Sequence, residues 1–83
     1  MKLKNEISFQ ILHNPFENNI HIQSLNNPIS NIKLFDLFGK LVKQEIVNQQ
    51  STIDFKTEEC TSGIYFLVIS NQKTRESFKI ILK

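Results

Sequence analysis

Apolar and polar residues alternate with a period of two along nearly the whole chain. Ile7, Phe9 and Ile11 are interleaved with Glu6, Ser8 and Gln10, and Ile20 and Ile22 with His21 and Gln23. Ile32 and Leu34 flank Lys33, and Ile53 and Phe55 flank Asp54. Near the end Phe78, Ile80 and Leu82 fill one set of alternate positions, and Lys79, Ile81 and Lys83 fill the other. Successive side chains of a strand point to opposite faces, so this pattern predicts extended segments packed through one face. No window carries the 3.6-residue stripe of an amphipathic helix.

Turn-forming residues punctuate the runs. HNPFENN (residues 13–19) separates the first two, and NNPISN (26–31) the second and third. Gly39 splits IKLFDLFGKLVKQEI into a third run and a fourth over about residues 40–47. NQQS (48–51), TEECTSG (57–63) and NQK (71–73) close the remaining boundaries. Asn, Pro and Gly act here through positive φ, fixed φ and side-chain mimicry of turn bonds. Seven strands at spacings of about 8–12 residues predict an all-β fold, an antiparallel Greek-key (immunoglobulin-like) β-sandwich. With neither an internal repeat nor a linker, residues 1–83 read as a single domain whose leading strand lies within 1–12.

The sixth run, GIYFLVIS, is apolar on both faces: Tyr65, Leu67 and Ile69 form one row, and Ile64, Phe66 and Val68 the other. A strand of this kind belongs in the middle of a sheet with its second row covered. Loops or lysine stems are one cover; a docked protein is another. Tyr65 follows Gly63 at the start of this strand. That placement resembles the tyrosine corner of Greek-key sandwiches, where the hydroxyl bonds back to the preceding loop. Tyr65 is therefore expected to fix the fold rather than to touch a ligand.

Composition narrows the function classes. Eighty-three residues with 40% hydrophobic content suffice for one small core, and seven of the eight aromatics are Phe. The net charge of +2 is spread over interleaved lysines and acids, without the basic stripe that tracks phosphates, so no nucleic-acid partner is expected. A single cysteine, Cys60, rules out an internal disulfide. No apolar run reaches the roughly 20 residues of a membrane span, and the start of the chain is a poor signal peptide. Met1 reads as a translation start placed on a fragment of a larger protein.

Candidate chemistry is sparse. His13 and His21 lack a second ligand at metal-binding spacing, so no metal site is expected. Cys60 has Glu58 and Glu59 beside it, which oppose a thiolate, and reads as a small buried hydrophobe. No calcium loop, nucleophile elbow or phosphate-cradling glycine loop is present, because Gly39 and Gly63 are the only glycines. Neither catalytic residues nor a cofactor site are expected.

Three phrases lie in a definite order: NPFENNIHI, IKLFDLFGKLV and TIDFKTEECTSGIYFLVI, with ESFKIILK closing the chain. Together they resemble the type A C-terminal sorting domain of type IX secretion cargo from Bacteroidota, from about residue 13 to residue 83. Asn14 and Pro15 match the family's opening pair. Asp36, Gly39 and Lys40 match its hairpin, Ile53, Asp54, Gly63 and Tyr65 its long motif, and Lys79 and Lys83 its terminal lysines. Three positions depart from the pattern: His13 before Asn-Pro, Phe38 before Gly39, and Cys60 where Leu is usual. Phe38 and Cys60 can both bury apolar surface, which keeps the chain foldable.

The resemblance implies a secretion address. Such a domain follows an upstream cargo that reaches the periplasm by a separate signal. Translocon and shuttle proteins of the outer membrane recognise it, and a surface sortase removes it. The cargo is thereby secreted or displayed on the cell. Two recognition surfaces are expected on physical grounds. The edge of the last strand, residues 77–83, offers free backbone groups with Lys79 and Lys83 setting register or guarding the edge. The turn residues Asn14, Pro15, Gly39 and Lys40 are the other, although turn geometry alone is the favoured reading of that cluster. Pairing of edge strands between two copies stays open. The rival reading is a small non-catalytic adhesive or carbohydrate-binding sandwich, against which stand the absence of Trp and a single Tyr.

Overall fold

The computed structural model describes residues 9–12, 18–25 and 27–83. Seven strands follow one another: β1 (Phe9–Leu12), β2 (Asn19–Ser24), β3 (Ile29–Asp36), β4 (Leu41–Gln50), β5 (Thr52–Lys56), β6 (Gly63–Ser70) and β7 (Arg75–Leu82). They make two antiparallel sheets, β1-β2-β5 and β4-β3-β6-β7. The all-β, two-sheet antiparallel architecture is the one the alternation predicts. The strand order adds a detail: β4 lies beside β3, where a constant-type immunoglobulin order would set it beside β5.

The core follows from the period of two. Phe9, Ile20, Ile22, Ile53 and Phe55 from the smaller sheet meet Ile32, Leu34, Leu67 and Ile69 from the larger in one buried cluster. Apolar burial of this kind contributes roughly 25 cal/mol per Å² and is the main favourable term in a fold without disulfides. At one margin of the sandwich a lysine supplies the cover. The Lys43 ammonium donates to the Lys56 carbonyl at 2.5 Å and stands 5.1 Å from the centre of the Phe55 ring. Its stem thus lies along apolar surface while the charge reaches polar partners.

Several boundaries differ from the expected ones, and β3 already starts at Ile29, inside the expected NNPISN turn. NQQS was expected as a turn, yet β4 continues to Gln50 and only Ser51 separates it from β5. The chain passes from one sheet to the other through Gln49, whose φ is +53°, beside a register irregularity between Ile29 and Asn31. A local bend in the backbone does the work assigned to a polar loop. The last strand also begins earlier, at Arg75 rather than at residue 77, because Ser70 and Arg75 pair directly across the hairpin.

β6 occupies the central position expected of it, between β3 and β7. Its inner row of Tyr65, Leu67 and Ile69 is buried. The outer row is only partly covered, with Phe66 37% exposed.

Candidate functional site

The hairpin between β3 and β4 is built by one carboxylate. Asp36 Oδ1 accepts the backbone N–H of Phe38 and of Lys40, each at 2.9 Å. The Gly39 N–H donates to the Asp36 carbonyl at 3.0 Å, and the Asp36 N–H to the Lys40 carbonyl at 2.9 Å. The loop Leu37–Phe38–Gly39 then needs a residue of positive φ before the strand resumes, and Gly39 supplies it at +84°. Asp36, Gly39 and Lys40, the hairpin residues singled out from the sequence, are therefore brought together as one backbone device. Phe38 makes no use of its capacity to bury apolar surface: it is 92% exposed. The tight turn points it away from both sheets. Cys60 does meet its expectation of packing, half-buried against the core. Burial pushes its thiol above the ordinary value of 9.0; Lys43 opposes that shift and Glu59 reinforces it.

Gly63 and Tyr65 form a second device. The Tyr65 hydroxyl donates to the Thr61 carbonyl at 2.8 Å and lies 3.2 Å from the Thr61 hydroxyl. The ring is buried. The corner expected from GIY is thus present, tying the loop after β5 to the strand that follows. Gly63 adopts φ +152°, and a Cβ there would lie 3.9 Å from the Tyr65 ring, so backbone conformation rather than crowding calls for glycine.

The remaining positions scatter. Lys79 and Lys83 are exposed on and just after β7, a margin of the four-stranded sheet. Ile80 and Leu82 between them are buried in the core. Asn14 and Pro15 lie outside the described residues, as does His13. His21 and Asp54 face each other across β2 and β5, with Nδ1 and Oδ1 2.5 Å apart on an exposed surface. Among the described residues no group of three or more His, Cys, Asp or Glu is placed to hold a metal ion. No helix among the described residues is long and apolar enough to cross a membrane.

One feature of the surface escaped the sequence reading. The registers align Lys79, Phe66, Phe35 and Leu41 in a single row across all four strands of the larger sheet, on its outward face. Ile81 and Ile64 pair in the next row toward the hairpin tip. The alternation announces an outward apolar row on β6 alone; the row across the sheet exists only once register is known.

Residues 10–83 match the family described as the secretion system C-terminal sorting domain. No curated protein matches the chain. The matched span takes in both sheets, the Asp36 hairpin and the Tyr65 corner. This chain belongs to the C-terminal sorting domains of type IX secretion, which mark proteins for export to the cell surface or beyond it.

Proposed function

We propose that the folded domain is a non-catalytic address, read as a shape by the translocon and shuttle proteins of the outer membrane and removed from its upstream cargo by a sortase. The observation that carries this reading is the extent of the family match. It spans residues 10–83, a whole sandwich rather than a short linear tag. A partner that reads such an object must contact surface that only folding assembles.

The margin strand β7 supports one mode of reading. Addition of a partner strand to a free sheet edge gives affinity through backbone hydrogen bonds, and flanking side chains set the register. Lys79 and Lys83 occupy that margin, and lysines there also deter pairing with further copies of the chain. The hairpin residues Asp36, Gly39 and Lys40, with Asn14 and Pro15, are the other proposed contact. In both modes residues 1–83 act as one unit.

The decisive experiment fuses the domain behind a fluorescent reporter in a type IX-competent cell, beside a translocon-deficient strain. Export in the first and retention in the second is expected; periplasmic retention in both overturns the reading. Deleting residues 80–83 is a poor test of the edge, because Ile80 and Leu82 belong to the core. Reversing Lys79 and Lys83 to Glu leaves the core intact and is expected to reduce export.

A further inference from the structure

The outward face of the four-stranded sheet changes chemistry along its length. At the end near the β3–β4 hairpin stand Ile81 and Ile64, followed by the Phe66–Phe35–Leu41 row with Lys79 at its margin. Two residues further along the strands, Val68 pairs with Lys33 and Ser77. At the far end Ser70 pairs with Arg75 and with Asn31. From Ile81 to Arg75 is six residues, or about 20 Å of strand. The outward rows of these strands carry Lys33, Arg75 and Lys79 and no carboxylate, since Glu45 and Glu76 pair with Ile32 and Ile69 on the core-side rows.

The cationic end is also concave. A groove of about 770 Å³ opens there, lined by Lys33, Lys73, Arg75 and Phe35 among others, with Glu76 also contributing to its wall. Among the described residues the side-chain cations of Lys33, Lys73, Arg75 and Lys79 have no hydrogen-bond or ion-pair partner.

Building on the sorting-domain reading, we propose that this face is a docking surface for a protein of the secretion machinery that presents an apolar stripe ending in carboxylates. Charge complementarity selects the occupant. A second copy laid face to face sets cations against cations in one orientation and against the apolar rows in the other, and in neither does it offer them carboxylates. A bilayer offers the same chemistry at every point of its plane, whereas here an apolar half and a cationic half lie side by side in one plane. A protein stripe with acidic groups at one end satisfies both halves, and Phe35 lies at their junction, in the apolar row and in the groove wall.

The test compares charge reversals on the two sheets in the reporter fusion. Lys33→Glu and Arg75→Glu alter the proposed face, and Lys56→Glu alters the smaller sheet. Unfolding midpoints of the fusions verify that each variant is folded. Export is expected to fall about tenfold for Lys33→Glu and Arg75→Glu, as for a lost interfacial charge contact, and to stay unchanged for Lys56→Glu. Undiminished export of the first two, or an equal fall for the third, overturns the proposal. Retention of the unmutated fusion in a competent cell overturns the sorting reading itself and is distinguishable from either. In flotation with phosphatidylglycerol vesicles the fusion is expected to stay unbound. Binding that Lys33→Glu abolishes would assign the face to lipid and overturn a protein occupant.

Discussion

The two hairpins of the larger sheet close by the same device and display opposite surfaces. Asp36 Oδ1 gathers the N–H groups of Phe38 and Lys40; Asn71 Oδ1 gathers those of Lys73 and Thr74, at 2.7 and 2.8 Å. Each turn also carries a backbone bond across its mouth, from the Asp36 N–H to the Lys40 carbonyl and from the Asn71 N–H to the Thr74 carbonyl. They lie at opposite ends of the sheet, because Asp36 pairs with Tyr65 while Asn31 pairs with Ser70. Yet the first presents Leu37 and Phe38 to solvent, and the second presents Gln72 and Lys73. Turn chemistry alone therefore does not ask for an apolar tip. A turn satisfied by polar residues at one end would be satisfied by them at the other, so the turn itself does not require the exposed Phe38.

The largest difference between the hairpins should appear on removing their caps. Asp36→Ala is expected to cost about 2 kcal/mol, since a charged acceptor is lost from two backbone donors; Asn71→Ala, which loses a neutral acceptor and a long 3.3 Å bond from its Nδ2 to the Asn27 carbonyl, about 1 kcal/mol. Urea unfolding midpoints of the two variants measure this directly. An Asn71 variant that proves the weaker of the two would break the comparison. Next in size is Gly39→Ala. Space is open around the glycine, so its positive φ is the only penalty, about 1 kcal/mol. Gly39→Asn should recover most of that loss, and failure to recover it would mean that the loop needs more than a left-handed residue. The Asn71 turn has no positive-φ residue and should tolerate alanine at Gln72 without cost. Tyr65→Phe tests the neighbour of the first hairpin: loss of the Thr61 bond should lower stability by about 1 kcal/mol, and an unchanged midpoint would show the bond to be silent.

What the sequence disclosed, and what it concealed, divides along the same physical line. Side-chain alternation and turn residues act within a few positions of one another, so the strands, the Asp36–Gly39–Lys40 turn and the Tyr65 corner were legible. NQQS misled because a single left-handed residue, Gln49, can redirect a strand without a loop. Phe38 stays exposed because hydrophobicity leads to burial only where the backbone points the side chain inward. The outward row of Lys79, Phe66, Phe35 and Leu41 was invisible for a deeper reason. Its members come from four strands, and a slip of one residue in any pairing would dissolve it.

The smallest expected change in stability carries the most about use. Phe38→Ser removes a ring that touches little of the domain, so its unfolding midpoint should stay within about 0.5 kcal/mol of the unmutated value. Gln72→Ser makes the matching change at the polar tip and should be equally silent in unfolding. The two should part in the export assay. If the apolar tip serves recognition, the Phe38 variant leaves more reporter in the periplasm than the Gln72 variant does. A folded domain, equally stable in both cases, leaves surface chemistry as the only difference between them. Equal export of the two would mean that the exposed ring is tolerated rather than used, and that the contrast between the hairpins is an accident of a permissive turn.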